Sequence, residues 1–153
     1  MKKKVLVTIL LVGLTCLLFS TSPVQAATQA EIEAAISKGL TYLVAQQQPD
    51  GSWIFFGGVA DISTTGLALV KLVDRAKELK LEPFDNIPGS PTYYPYANNV
   101  IAGFDYLFSN ASADAAGVNF LGQIYSTGTS MMAVAATNNS SRVISTGLLS
   151  GQT

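Results

Sequence analysis

Histidine is missing from this sequence, and cysteine occurs once, at Cys16. Without histidine, no imidazole can act as a base, activate a nucleophile or bind a metal ion. Charged residues are few, at 12% of 153 residues, and the formal net charge is −1. The one basic cluster is Lys2, Lys3 and Lys4, so nothing in the sequence suits a nucleic acid backbone. The apolar content of 48% favours a packed core over disorder.

Residues 1–26 have the pattern of a secretory signal peptide. The three lysines precede an apolar run from Val5 to Phe19, and Val24-Gln25-Ala26 has the small-x-small form of a cleavage site. As a helix the apolar run would span about 22 Å, less than the roughly 30 Å of a bilayer core. We therefore predict a secreted or cell-surface protein that meets a membrane only during export. Its mature chain would begin at Ala27 and contain no cysteine, so packing alone would stabilise it.

Patterning in the mature chain predicts that a helix begins at once. Thr28 and Glu31 have the spacing of a capping box, and Pro49-Asp50-Gly51 predicts a turn that ends the helix. Apolar residues follow at helical spacing, at Ile32, Ile36, Leu40, Leu43 and Val44. This first helix should therefore present one apolar face.

Three more helices are expected, which makes the fold class all-α. The second has Ser63 as its N-cap, reaches about residue 80 and is apolar on all sides in its first half. A proline-rich loop occupies 81–97, a third helix runs from Asn98 or Asn99 to Ser109, and a fourth covers 126–136. The remainder, 138–153, is polar and should be weakly ordered.

Two sets of residues recur at nearly the same interval. Gly39, Tyr42 and Leu43 match Gly103, Tyr106 and Leu107 at 64 residues, and Thr65-Gly66 matches Thr127-Gly128 at 62. Agreement between two independent matches predicts a duplicated helical hairpin, as in arrays whose units bury their faces against neighbours.

The strongest local signal is a motif of seven positions around the first turn. They are Lys38, Gly39, Tyr42, Leu43, Gln47, Gly51 and Trp53. The motif resembles the QW repeat of the squalene-hopene and oxidosqualene cyclases, whose relatives include protein prenyltransferases, cobalamin carriers and complement thioester domains. Gln47 falls where a helix ends, so its amide can bond an exposed backbone group while a glycine turn folds Trp53 back.

The resemblance implies an α/α toroid, in which six helical hairpins close into a double ring around a cavity. Hairpins 27–80 and 98–137, joined by the loop 81–97, would make about a third of such a ring. The first helix of each would be an outer helix and the second an inner one. We expect a truncated or split member; the alternative is a ring completed by self-association, because an open fragment exposes an apolar edge.

The chemistry of the resembled families needs residues that this chain lacks. Triterpene cyclases protonate an alkene with a clustered Asp-x-Asp-Asp, whereas the aspartates of 27–153 are isolated. Prenyltransferase zinc needs cysteine and histidine, and the complement thioester needs cysteine. We therefore predict no catalytic residue, no metal site and no cofactor.

Binding is the function that remains. Asp61 precedes an inner helix and could hold a polar ligand, although the helix dipole alone would stabilise a carboxylate there. Tyr93, Tyr94, Tyr96 and Tyr125 could form an aromatic rim around a hydrophobic or planar ligand, or could simply cover one end of the toroid. Gln47 and Trp53 are interpreted as structural.

We thus expect an exported, non-catalytic toroid-like module that binds a hydrophobic small molecule or a protein partner. A competing hypothesis is the amino-terminal part of a cyclase-like enzyme whose acid residues lie on a segment absent here. A third is a structural surface module that presents the loop 81–96 to other proteins.

Overall fold

The structure is a computed structural model that describes residues 26–55, 58–115, 117–121, 123–139, 141–142, 144, 146–147 and 149–152. The predicted signal peptide lies outside these residues, apart from Ala26. The chain divides into two compact units, 1–35 and 36–153. Among the helices that the structure describes, none combines the length and hydropathy that a membrane crossing requires.

Four helices dominate the described chain. They are α1 (Gln29–Ala45), α2 (Ile62–Glu78), α3 (Ala97–Ser109) and α4 (Ile124–Thr137). Two short antiparallel hairpins precede α2 and α4: β1 (Trp53–Ile54) pairs with β2 (Ala60–Asp61), and β3 (Ala111–Asp114) with β4 (Gly117–Phe120). The chain is mostly helical, as predicted, but all-α was wrong in detail. The strands of the second hairpin carry mainly small residues, which give no alternating apolar signal.

The capping box at the start of α1 is confirmed. The Thr28 backbone N and Oγ1 each donate to Glu31 Oε2 at 2.8 Å, and the Glu31 backbone N donates to Thr28 Oγ1 at 3.3 Å. These hydrogen bonds lower the pKa of Glu31. The predicted apolar face of α1 is only partly covered, since Leu40 is its one buried residue and Ile32 is 42% exposed.

Helix α2 begins one residue earlier than its predicted cap. Its N-cap is Asp61, whose carboxylate accepts from the Thr64 backbone N and from Thr64 Oγ1, each at 2.7 Å. A carboxylate accepts hydrogen bonds from the free N–H groups and is stabilised by the positive end of the helix dipole. The cap is therefore Asp61 and not the predicted Ser63. The first half of α2 is not buried on every side, because Leu67 is 42% exposed.

Close contacts fix the directions of α3 and α4 against α2. Ser63 Oγ lies 3.1 Å from Ser126 Oγ, and a Cβ added to Gly66 would lie 2.9 Å from the Thr129 carbonyl. The contacting residues follow in the same order along both helices, three residues apart in each, so α2 and α4 run parallel. Tyr94, which precedes α3, donates to the Leu72 carbonyl, and Gly103 contacts Leu69 nearer the start of α2, so α3 runs antiparallel to α2.

The core therefore centres on α2. Its fully buried apolar residues include Leu69, Leu72, Val73 and Ala76, and they pack with Val100 and Leu107 of α3 and Ala133 of α4. The interface of α2 with α4 is unusual in being built from small polar residues, among which Ser130 Oγ is buried without a hydrogen-bond partner in the described residues. Small side chains let the two backbones approach closely.

The C-terminal segment, predicted to be weakly ordered, has a defined arrangement where the structure describes it. The Ile144 backbone N donates to the Gln152 carbonyl at 2.8 Å, and the Gly151 N donates to the Ile144 carbonyl at 2.9 Å. Leu149 is buried in the core. This one leucine gives the polar tail an apolar anchor.

Gly51 should tolerate no side chain. Its φ is +88°, and a Cβ there would lie 2.1 Å from the Ala102 carbonyl oxygen of α3. We expect Gly51→Ala to lower the free energy of unfolding by more than about 2 kcal/mol in urea denaturation. The strain of a positive φ and the clash with the Ala102 carbonyl would both destabilise the folded state.

Gly89→Ala is the matched control. Gly89 also has a positive φ, +91°, but no described atom lies within 4 Å of an added Cβ. Backbone strain alone should lower the free energy of unfolding of Gly89→Ala by about 1 kcal/mol. Equal losses for the two variants would show that the contact with α3 does not matter.

Candidate functional site

The glutamine of the QW-like motif joins the end of α1 to the first turn of α3. Gln47 Nε2 donates to the Gly51 carbonyl at 3.0 Å and to the Asn99 carbonyl at 2.9 Å, while Asn99 Nδ2 donates to Gln47 Oε1 at 2.7 Å. The prediction that this amide bonds backbone groups is confirmed. We call Gln47, Gly51, Trp53 and Asn99 the clasp.

Trp53 supplies the apolar part of the clasp. Its side chain is 2% exposed, and its Nε1 donates at 2.8 Å to the Leu43 carbonyl in the last turn of α1, which also accepts from the Gln46 backbone N at 3.1 Å. The ring lies 3.1 Å from the position of a Cβ on Gly103, so a glycine is needed there. The Trp53 backbone N donates to Thr65 Oγ1 at 2.9 Å and ties the turn to α2.

The earlier positions of the motif lie at the surface. Lys38 and Gly39 are exposed, Tyr42 is 69% exposed, and Leu43 is half-buried. Gly39, Tyr42 and Leu43 line an open groove of about 440 Å³ between α1 and α2, together with charged residues of α2. The motif therefore divides into an exposed half on α1 and a buried half in the clasp.

Asp61 is occupied by its structural role. Its carboxylate accepts from the backbone N and from Oγ1 of Thr64 at the start of α2, and its backbone carbonyl accepts from Thr65 Oγ1 at 2.8 Å. The side chain is half-buried. This geometry matches the helix-dipole interpretation of Asp61 given above.

The four candidate tyrosines do not form one rim. Tyr94 is 1% exposed, and its hydroxyl donates to the Leu72 carbonyl at 2.8 Å; burial, reinforced by Tyr96, raises the pKa of Tyr94 above its usual range. Tyr96 stands edge-on to Tyr94 with ring centroids 5.5 Å apart, and both Tyr93 and Tyr96 are half-buried. Tyr125 is 66% exposed at the start of α4.

The distance along α2 explains this separation. Tyr94 contacts α2 at Leu72, whereas the first turn of α4, which carries Tyr125, contacts α2 at Ser63. Nine residues of helix correspond to about 13 Å. Tyr94 and Tyr96 therefore belong to one aromatic cluster in the core, and Tyr125 belongs to a different surface.

The best-formed pocket lies elsewhere, between α3, α4 and the C-terminal segment. It has a volume of about 60 Å³, and its walls are mainly aromatic and aliphatic. Its lining residues are Phe84, Ile101, Phe104, Asp105, Phe108, Val134, Thr137, Asn139, Arg142 and Ile144. We call it the phenylalanine pocket.

Aromatic contacts hold the walls of the phenylalanine pocket. The ring centroids of Phe84 and Phe104 are 5.5 Å apart, and those of Phe104 and Phe108 are 6.2 Å apart. The Arg142 guanidinium carbon lies 3.6 Å from the Phe84 ring centroid, a cation–π contact. Asp105 contributes the opposite charge, and its carbonyl accepts from Thr146 Oγ1 at 3.2 Å. The pocket thus combines apolar walls with one charge of each sign.

Apolar walls with a few polar groups are typical of ligand pockets. The charged side chains in the lining are one carboxylate, Asp105, and one guanidinium, Arg142, which stays protonated. Within the described ranges no three histidine, cysteine, aspartate or glutamate residues are grouped to hold a metal ion.

Sequence reasoning missed the phenylalanine pocket because its residues come from four separate segments: the proline-rich loop, α3, α4 and the C-terminal segment. Phe104 and Phe108 are four residues apart and so share one face of α3, which is the only local signal. Phe84 belongs to the proline-rich loop, and Arg142 and Ile144 belong to the tail that was expected to be weakly ordered. Phe84 and Arg142 come together only because the C-terminal segment folds back against α3 and the loop.

Comparison with known proteins gives no relative. No family model matches the chain, and neither the curated proteins nor the solved structures include a significant match. The similarity to the QW repeat therefore rests on the motif residues.

We expect Gln47→Glu to destabilise the clasp. The carboxylate would face two carbonyl oxygens with no proton to donate, which should cost about 2–3 kcal/mol of unfolding free energy at neutral pH. The folded state would raise the pKa of the introduced carboxyl, so the loss should shrink as the pH falls and grow as it rises. Urea denaturation at pH 4 and pH 7 measures both values. Gln46→Glu, at an exposed position nearby, should change stability little at either pH.

Tyr94→Phe should lower the unfolding free energy by about 1 kcal/mol, because the hydroxyl's bond to the Leu72 carbonyl is lost while the ring remains. Tyr125→Phe should have almost no effect, since that side chain is largely solvated. Thermal and urea denaturation of both variants check this. A neutral result for Tyr94→Phe would argue against its structural role.

Proposed function

We propose that the chain is an exported, non-catalytic module with part of an α/α toroid, which binds a hydrophobic or planar group in the phenylalanine pocket. The observation that carries the proposal is the pocket itself, with three phenylalanine rings and an arginine on its wall. Its volume of about 60 Å³ is below the roughly 150 Å³ of a cavity that encloses benzene, so the pocket suits a branched aliphatic group or the edge of an aromatic ring, presented by a small molecule or by a side chain of a protein partner.

Two matching contacts support a duplicated hairpin within this proposal. The Trp53 backbone N donates to Thr65 Oγ1, and the Phe120 backbone N donates to Thr127 Oγ1 at 3.1 Å. Trp53 and Phe120 are each 2% exposed and each precede an inner helix. We infer that Phe120 takes the position of the tryptophan in the second hairpin, where the motif is otherwise degenerate.

The parallel packing of α2 and α4 also supports a toroid-like arrangement. In a ring of helical hairpins, all inner helices point in one direction, and outer helices point in the other. The contacts of Ser63 with Ser126 and of Gly66 with Thr129 give α2 and α4 the same direction, and α3 is antiparallel to α2.

A non-catalytic role fits the local positions of three of the aspartates. Asp50 accepts from Ser52 Oγ at 2.7 Å and from its backbone N at 3.0 Å, and these bonds lower the pKa of Asp50. Asp85 accepts from Ser90 Oγ, and from Thr92 Oγ1 at 2.7 Å, with a similar lowering of its pKa. Asp61 caps α2. The lowered pKa values favour the ionised forms of Asp50 and Asp85, whereas a catalytic acid must stay protonated until it donates.

Export is proposed from the sequence pattern of residues 1–26. A module outside the cytoplasm without disulfides needs stabilisation from other sources, and the clasp is one that the described residues supply. Purification of the protein after expression with its own N-terminal segment, followed by intact mass measurement, tests whether the chain begins at Ala27.

The binding proposal is tested with toluene and benzoate as probes. We expect saturable one-to-one binding of at least one of them, measured by chemical-shift changes or calorimetry. Val134→Phe places a fourth ring at the pocket wall, where Val134 is 40% exposed, and should weaken binding about tenfold or more by filling the space.

Val59→Phe is the matched control, because Val59 is 70% exposed and lies outside the pocket lining. It should leave binding unchanged. Binding that survives Val134→Phe, or that is lost equally in both variants, would show that the phenylalanine pocket is not the binding site.

A further inference from the structure

The outward side of α4 is apolar and largely exposed. Ile124 is 95% exposed, Tyr125 66%, Met131 59% and Met132 55%. With Gly128 they form what we call the α4 face. Single exposed apolar residues are common on protein surfaces, but a contiguous group of them is characteristic of an interaction site.

Charge is absent from this region of the sequence. Between Asp114 and Arg142 no residue carries a charge. The exposed side of α2 differs, since Lys71, Asp74 and Glu78 lie there and line the groove toward α1, with Lys71 Nζ 3.8 Å from Asp74 Oδ2. The exposed side of α2 is therefore charged, whereas that of α4 is not.

The α4 face has both a groove and a ridge. Exposed positions 124, 128, 131 and 135 are spaced by four, three and four residues, which places them along one straight seam of the helix. Along this seam lies an open groove of about 490 Å³, deepened at Gly128, where no described atom lies within 4 Å of an added Cβ. Tyr125 and Met132 project beside the seam and form the ridge.

We propose that the α4 face pairs with the α4 face of a second copy of this chain, antiparallel, about a two-fold axis near Gly128. An antiparallel crossing there sets position 124 opposite 132 and position 125 opposite 131. The ridge of each copy would then enter the groove of the other, with a methionine sulfur against a tyrosine ring. Two-fold pairing uses the same patch on both copies, which an uncharged, self-complementary surface satisfies without repulsion.

A head-to-tail arrangement fits less well. It would place the uncharged α4 face against the charged, exposed side of α2, whose lysines and carboxylates would lose water without gaining partners. The pairing does not depend on the phenylalanine pocket.

The first test is the oligomeric state of the full chain, expressed with its N-terminal segment and purified after export. Sedimentation equilibrium should show a dimer. Gly128→Lys puts a charge at the centre of the interface and should raise the dimer dissociation constant about tenfold or more. The substitution adds a side chain in open space within one chain and improves helix propensity, so the circular dichroism spectrum should keep its helical signal.

Gly39→Lys is the matched control. Gly39 is also an exposed helical glycine with no described atom near an added Cβ, but it lies on α1. This variant should dimerise like the unaltered chain.

The second test distinguishes two-fold from head-to-tail pairing. Apart from Cys16 in the predicted signal peptide, the sequence has no cysteine. Gly128→Cys should therefore form a disulfide-linked dimer under mild oxidation, because a two-fold axis brings the two introduced thiols together. Gly39→Cys should not, and the unaltered chain measures any contribution of Cys16.

Three results would overturn the proposal. One is a monomeric unaltered chain at every concentration tested. Another is an assembly that Gly128→Lys weakens no more than Gly39→Lys does. The third is an assembly in which Gly128→Cys forms no more cross-linked dimer than Gly39→Cys, which would indicate a different contact surface.

Discussion

The amide of Gln47 is the interaction on which the arrangement of α1, α3 and the first turn depends. Its side chain donates to the carbonyls of Gly51 and Asn99 and accepts from the Asn99 side chain, so it connects the end of α1 to the turn and to the start of α3. The buried Trp53 side chain donates to the Leu43 carbonyl in the last turn of α1. Because the bonds between Gln47 and Asn99 join residues 52 positions apart, the clasp constrains three segments together.

Helix α2 provides the second constraint. Large apolar side chains pack it against α3, whereas small polar residues pack it against α4, and the different side-chain sizes set different distances to the two neighbours. Gly66 and Gly103 mark the two closest approaches. This division leaves the aromatic residues of α3 free to build a pocket with the loop and the C-terminal segment, away from the clasp.

Three aspartates and one tyrosine that could have served as functional residues instead stabilise local structure. Asp61 caps a helix, Asp50 and Asp85 hold turns, and Tyr94 fixes the loop to α2. Two features have no evident structural purpose: the phenylalanine pocket and the uncharged face of α4. The proposed ligand site and the proposed dimer interface are these two features, and they lie on different sides of α4.

The sequence by itself determined the helices, the capping box, the end of α1 and the hydrogen-bonding role of Gln47, because each depends on residues within a few positions of one another. It misplaced the cap of α2 by two residues and missed both hairpins, because the first has strands of only two residues and the second has mainly small side chains, so neither carries a periodic signal. Only the tertiary structure decided that Tyr125 lies apart from Tyr94, that Leu149 is buried, and that Phe84 meets Arg142. Those outcomes depend on contacts between distant segments, and local patterns do not encode which distant surfaces will meet.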